Sequence, residues 1–173
     1  MRERLLEFHL AQQPPIPEFR TAGATRWYPP QISRHKVNYD RALFKEIWQA
    51  GVGVVARDAD GRVRGALSDK TVLPGTVEEV EAIAYVVFEG DSESITTAIN
   101  SGTPCYSSFG HILEDVKALA LNFVSATFIH VKRQGNAVAD RLAKAAKNIP
   151  CPHVWSNDIP SDVQQLVIHD SIH

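Results

Sequence analysis

The clearest pattern in the chain is an alternation of polar and apolar residues that begins at Lys36. Across Lys36–Asp40 the apolar residues Val37 and Tyr39 share one face and the polar residues share the other, which is the period of a β-strand. Two further strands, Ala50–Arg57 and Arg62–Asp69, flank a short turn of Asp and Gly residues. These three segments predict an antiparallel meander.

Helical spacing follows the meander. Thr76 and Glu79 have the spacing of a capping box, so a first helix is predicted to begin at Thr76. Beyond it, short apolar runs alternate with stretches of helical period. The predicted elements are a strand at Val86–Glu89, helices at Ser92–Asn100 and Gly110–Asn122, a strand at Ala126–Val131 and a helix at Asn136–Lys147. Their order, β-β-β-α-β-α-α-β-α, predicts an α/β domain.

The chain divides into one domain with a segment on either side. Residues 1–33 predict a short helix, Arg2–Gln13, followed by a proline-rich linker or tail. Residues 34–148 form the predicted domain, and residues 149–173 are predicted to be a C-terminal tail. The length of 173 residues and the hydrophobic content of 44% are those of a single globular domain.

Composition excludes several classes of protein. No apolar run approaches the ~18 residues of a membrane span, and the N-terminus lacks the apolar stretch of a secretory signal, so we expect a soluble intracellular protein, nuclear or cytoplasmic. Two cysteines make neither a disulfide framework nor a metal-ligand spacing. A net charge of −2 argues against a strong electrostatic grip on nucleic acid, which usually needs a basic face.

Four acidic residues stand where elements of the predicted domain begin or end. Asp40 ends the first strand, Asp91 follows the fourth, and Glu81 lies on the helix between the third and fourth strands. Asp140 lies one turn into the last helix, four residues after Asn136 and therefore on the same helical face. Spacing alone leaves open whether these acids meet or are ordinary acids at strand ends.

Five blocks of the chain resemble, in order, the plant ribonuclease H-like domain, which is related to the type 1 ribonuclease H module of retroelement reverse transcriptases. The blocks are Lys36–Asp40, Gly51–Asp58, Val80–Ala84, Phe88–Ser92 and Phe128–Ala143. The resemblance implies a ribonuclease H-like fold, with a five-stranded mixed sheet flanked by helices. In that sheet three strands form an antiparallel meander, two are parallel, and Asp40 and Asp91 lie on adjacent central strands.

The resemblance also implies a catalytic site in which four carboxylates bind two Mg²⁺ ions, or Mn²⁺ in their place. Those carboxylates would belong to Asp40, Glu81, Asp91 and Asp140. One ion would activate water and the other would stabilise the leaving oxygen of the cut RNA strand. Lys132, Arg133 and Asn136 are the candidate substrate-binding residues. Asn136 would orient the last helix or its loop and is also an ordinary N-cap candidate, two roles that are compatible. Lys132 and Arg133 fit a solvated basic surface equally well.

Three features depart from the family pattern. Arg41 stands where glycine usually follows the leading Asp, and the loop Lys132–Gly135 lacks the histidine of well-studied members. The first helix is shortened, because Tyr85 runs directly into the fourth strand without a glycine or turn residue. A crossover between parallel strands normally takes a dozen or more residues, so we expect this connection to be strained and Glu81 to be displaced.

Two functions of different class follow. The first is an Mg²⁺-dependent endonuclease that hydrolyses the RNA strand of RNA–DNA hybrids. The second is a catalytically weak or silent module of the same fold that binds nucleic acid or protein. The DEDD exonucleases fit less well, because they need Glu two residues after the first Asp, where Ala42 stands here. In either case we expect a monomer with a nucleic-acid partner, no membrane and no small-molecule cofactor.

Overall fold

The computed structural model describes residues 23–70, 85–101, 110–150, 152–156 and 159–172. Two predicted helices, Arg2–Gln13 and the one that begins at Thr76 and carries Glu81, lie outside the described residues. The described residues contain no helix long and apolar enough to cross a membrane.

A mixed β-sheet of six strands forms the centre of the fold. The strands are β1 (His35–Phe44), β2 (Gln49–Arg57), β3 (Val63–Asp69), β4 (Tyr85–Gly90), β5 (Ser125–His130) and β6 (His153–Trp155). Their order across the sheet is β5-β4-β1-β2-β3-β6. The predicted meander β1-β2-β3 and the two parallel strands β4 and β5 are confirmed.

The prediction of five strands is wrong by one. The short strand β6 pairs antiparallel with the edge of β3. Three residues are too few to show an alternation of their own, so this strand left no pattern in the sequence. β6 lies in the segment predicted to be a C-terminal tail. The described part of residues 1–33 also contacts the domain, since the Gly23 N–H donates to the His130 carbonyl at 2.8 Å. The domain boundaries themselves stay a prediction.

Four α-helices are described, and two short 3₁₀ turns accompany them. The helices are α1 (Glu93–Asn100), α2 (Gly110–Ala120), α3 (Ala137–Ala145) and α4 (Ser161–Ile172), and the turns are Lys45–Ile47 and Arg133–Asn136. α3 packs across β1, β2 and β3, and α4 packs on α3. The apolar core between these helices and the sheet consists of Val55, Ala66, Val138, Leu142, Ile159, Val163 and Val167.

The polar face of β1 is the face that the fold buries. Lys36, Asn38 and Asp40 alternate with the partly buried Val37 and Tyr39 as predicted, and the polar residues share the face that α3 covers. Their side chains are at most 9% exposed. Burial of polar groups costs free energy unless each finds a partner, so this face requires a hydrogen-bonded network.

Two glycines of β2 let α3 lie directly on the sheet. A Cβ atom on Gly53 would collide with the backbone of Ala139 and Ala143 and would lie 2.8 Å from the Leu142 Cβ. A Cβ on Gly51 would meet the Ala143 carbonyl in the same way. Alanines on the helix and glycines on the strand therefore allow a close approach that larger side chains would prevent.

We predict that Gly53→Ala lowers the free energy of unfolding by about 1–3 kcal/mol, the usual cost of overpacking a close contact. Gly65→Ala is the matched control, because a Cβ there meets its nearest atom, the Trp155 carbonyl oxygen, at an ordinary 3.7 Å. Chemical denaturation of both variants measures the difference. Equal stability of the two variants would show that the helix moves away freely.

Candidate metal and nucleic-acid site

Asp40 and Asp91 lie side by side at the centre of the sheet. β1 and β4 are adjacent and parallel, with Tyr39 opposite Gly90, and the two aspartates are the next residues on their chains. The prediction that Asp40 ends its strand is wrong, because β1 continues to Phe44 in pairing with β2. β4 stops at Gly90, so the pairing of the two parallel strands ends where the acids begin.

The close packing of α3 brings Asp140 to the same place. Gly53 lies opposite Asp40 in the β1–β2 pair, and the helix backbone at Ala139 passes over that glycine. Asp140 is the next residue, and its charge acts directly on Asp40. Asp40, Asp91 and Asp140 therefore lie near one another. Glu81 lies outside the described residues.

Burial and like charge together change the titration of Asp40. Desolvation raises the pKa of its carboxyl group to about 6, and the neighbouring charges of Asp91 and Asp140 add to the rise. The Arg41 N–H donates to Asp40 Oδ1 at 2.7 Å and opposes the shift. A side-chain hydrogen bond with Asp91 raises the pKa of Asp40 further.

Two of the three aspartates are paired with cations of the protein itself. Asp140 Oδ2 lies 2.6 Å from Lys144 Nζ, one turn along α3, and Asp91 Oδ2 lies 3.5 Å from Arg133 Nε. Within the described ranges no three Asp, Glu, His or Cys side chains are arranged to hold a metal ion. The donor chemistry, carboxylate oxygens only, suits Mg²⁺, but the carboxylates would have to exchange these cations for the metal.

Asn136 ties the beginning of α3 to the strand that carries Asp40. Its Nδ2 donates to the Tyr39 carbonyl at 2.9 Å, and its Oδ1 accepts from Asn38 Nδ2 at 3.2 Å. Asn136 does occupy the N-cap position of α3, but its side chain makes no capping hydrogen bond. The N-cap position is thus as predicted, whereas both ends of the side-chain amide are engaged by β1 and orient the start of the helix.

Comparisons with known proteins agree with this architecture. A family model described as reverse transcriptase-like matches residues 82–146, which is less than half of the chain. The structure of ribonuclease H1 from Halobacterium salinarum aligns with a TM-score of 0.56 at 18% identity, over 66% of this chain and 98% of that one. The fold is ribonuclease H-like.

Other solved structures have the same ribonuclease H-like fold. The N-terminal ribonuclease H domain of a Mycobacterium tuberculosis protein aligns with a TM-score of 0.57 at 19% identity, over 65% of this chain and 92% of that one. LC11 ribonuclease H1, solved in complex with an RNA/DNA hybrid, aligns with a TM-score of 0.54 at 17% identity, over 65% and 96%. No curated protein matches the chain significantly in sequence.

The sequence-based prediction missed a buried polar network beside the aspartates of this ribonuclease H-like fold. Lys36 Nζ lies 2.6 Å from Glu89 Oε1, and Asn38 Nδ2 donates to Glu89 Oε2 at 3.0 Å. Arg57 donates to Asn38 Oδ1 at 3.1 Å and to Asp170 Oδ2, on α4, at 2.8 Å. The one available signal was that Lys36 and Asn38 share a face with Asp40.

The two predicted substrate-binding cations differ in what they contact. Arg133 is 74% exposed and contacts Asp91, so it lies at the edge of the aspartate cluster. Lys132 is exposed, and its backbone N–H donates to the Ala24 carbonyl at 2.9 Å. Both therefore lie beside the candidate site on the turn that precedes α3.

We predict that Asp40→Asn stabilises the metal-free protein, and more so at pH 7 than at pH 4. The folded-state pKa of about 6 exceeds the ordinary value of 3.8, so the wild type loses stability as the pH rises through that interval and Asn removes the loss. Thermal unfolding between pH 4 and pH 7 measures the effect, with the exposed Asp115→Asn as control. A pH-independent difference would contradict the shifted pKa.

We also predict that Asn136→Ala lowers the free energy of unfolding by about 1–3 kcal/mol, because the Asn38 amide and the Tyr39 carbonyl lose a buried partner. Asn148→Ala, at an exposed position just after α3, is the control and should change stability little. Denaturant titration of both variants provides the comparison. Equal stability would mean that water replaces Asn136 without cost.

Proposed function

We propose that the protein binds RNA–DNA hybrids and hydrolyses their RNA strand with Mg²⁺. The observation that carries the proposal is the convergence of Asp40, Asp91 and Asp140, where mutual repulsion and burial raise the pKa of Asp40. Such crowding of carboxylates is unfavourable for folding and is typical of sites that exist to bind a cation. A protein of the same fold has been solved with an RNA/DNA hybrid, which supports the choice of ligand.

In this proposal the metal ligands are Asp40, Glu81, Asp91 and Asp140. Bound Mg²⁺ supplies an activated water and neutralises charge on the leaving oxygen. The chain itself positions the carboxylates, through the parallel register of β1 and β4 and through the hydrogen bonds of Asn136 that fix the start of α3. Arg133 and Lys132 are proposed to contact backbone phosphates beside the metal.

The second candidate, a binding module without appreciable catalysis, also has specific support. Asp91 and Asp140 are already neutralised by Arg133 and Lys144, so a metal ion must compete with cations held in the same chain. The connection from β3 to the parallel strand β4 consists of residues 70–84, and two strands lie between β3 and β4 in the sheet. In this second candidate Glu81, on that connection, is displaced from the aspartates, which leaves three acids to hold the metal.

A hybrid-cleavage assay with the full chain in Mg²⁺ separates the two candidates. For the enzyme we predict cleavage of the RNA strand, a fall of at least ~100-fold in Asp40→Asn and no change in Asp115→Asn, because loss of a direct ligand costs more than loss of a supporting residue. We also expect Mg²⁺ to raise the melting temperature of the wild type, since it binds the folded state.

The outcomes are distinguishable. Hybrid binding without cleavage, together with no Mg²⁺-dependent change in melting temperature, would establish the binding module. Cleavage that persists in Asp40→Asn would show that the aspartate cluster is not the catalytic site.

A further inference from the structure

The tip of the β1–β2 hairpin exposes a cluster of large apolar side chains. The tip consists of residues Leu43–Trp48, and in it Trp48 is 95% exposed, Leu43 60% and Ile47 44%. Phe44, by contrast, is turned inward and buried. An isolated exposed leucine is ordinary, but three exposed apolar side chains at one hairpin tip mark a surface for contact.

The backbone at Trp48 is unfavourable for any residue with a side chain. Trp48 has φ 52° and ψ 37°, the left-handed conformation that glycine adopts most readily. Since its indole is almost entirely exposed, no burial of apolar surface offsets the free-energy cost of this backbone conformation. Fold stability therefore does not account for tryptophan at this position.

The charges around the tip favour a polyanion as that contact. Arg41 is exposed beside the tip and Lys45 is exposed within it. The one acid of the tip, Glu46, has its Oε2 atom 3.3 Å from Lys147 Nζ. The same lysine lies 5.9 Å from the centre of the Phe44 ring, so the tip rests against the end of α3. Cations beside an exposed aromatic side chain are the combination that binding of single-stranded nucleic acid commonly uses.

The tip also lies in line with the aspartate cluster. β1 continues four residues beyond Asp40 before it reaches the tip, a distance of about 13 Å for an extended strand. β4 has already ended at Gly90, so the hairpin projects past the edge of the candidate site. A nucleic-acid strand bound at the aspartates can therefore extend to the tip.

We propose that Trp48 stacks on an unpaired base of a single-stranded extension that adjoins the hybrid. The inference rests on the proposed function for the hybrid and adds to it a preference for substrates with single-stranded ends. Aromatic side chains beside a basic groove are the usual stacking partners of single-stranded bases, whereas bases inside a duplex are covered by their neighbours. Arg41 and Lys45 would contact the phosphates of the same extension.

The test compares the binding of three ligands by fluorescence anisotropy. The first ligand is a short blunt hybrid. The second is the same hybrid with a single-stranded extension at one end, placed in turn at each end, and the third is the single strand of that extension alone. Ca²⁺ replaces Mg²⁺, and the RNA is checked for integrity after each titration. We expect the extension to raise the affinity of the full-length wild-type chain by about tenfold, the usual effect of one stacked base.

Trp48→Gly separates stacking from folding. Glycine suits the left-handed backbone, so the variant should melt at the same temperature as the wild type or higher. It should bind the blunt hybrid as tightly as the wild type does, but the extension should no longer raise its affinity. Trp48→Phe should retain most of the gain. Leu121→Ala, which removes another exposed apolar side chain, is the matched control and should retain all of it.

Each outcome decides the inference. If the extension raises the affinity of wild type and of Trp48→Gly by the same factor, the inference is overturned and the proposed function is unaffected. Tryptophan-dependent binding of the single strand without binding of the blunt hybrid would support stacking and overturn the proposed function. Concentration-dependent self-association that Trp48→Gly abolishes, with no effect on the extension, would make the tip a protein interface and overturn the inference.

Discussion

The buried charge of Arg57 is the constraint on which the rest of the structure depends. Its guanidinium group is fully buried and lies 3.8 Å from the centre of the Trp27 ring. Desolvation by this burial lowers the pKa of Arg57. An unpaired charge in such a place costs several kcal/mol, so Asp170 has to reach it from α4. Glu89 on β4 balances Lys36 in the same layer. These contacts of buried charges hold α4, the central strands and the segment before β1 together.

The candidate site depends on that network through Asn38. This amide accepts from Arg57, donates to Glu89 and also donates to Asn136, which holds the start of α3 against β1. Asn38 is two residues from Asp40, and Asn136 is one helical turn from Asp140. The positions of both aspartates are therefore set by buried hydrogen bonds that lie behind the carboxylates. Hydrogen bonds behind functional side chains favour one arrangement of a site before any ligand arrives, and metal binding and catalysis both benefit from such support.

Much of the fold could be predicted because strands and helices carry their own periods, but the site could be predicted only through the resemblance. The alternation in β1 indicated two faces, yet it could not show that the polar face is buried, since polar residues ordinarily face solvent. That assignment depends on α3 and α4, which are distant in sequence. The turn at Trp48 was equally invisible, because it contains neither Gly, Pro, Asn nor Asp. The orienting role of Asn136 came from the resemblance, and its partners Asn38 and Tyr39 could not be predicted because they lie about a hundred residues away.

The weakly acidic composition and a nucleic-acid ligand are compatible once the locations of the charges are considered. Glu89 and Asp170 are neutralised inside the protein by Lys36 and Arg57, so these two pairs leave the net charge of −2 unchanged, and what matters for a ligand is where the remaining cations lie. At the site, Arg133 and Lys144 occupy the carboxylates that Mg²⁺ would take. Binding of the metal would release both cations at the edge where phosphates arrive, so metal and nucleic acid would each favour the binding of the other. The two candidate functions therefore differ in one step. If Mg²⁺ displaces Arg133 and Lys144 from the aspartates, the residues form a catalytic site, and if it does not, they form a binding module without catalysis.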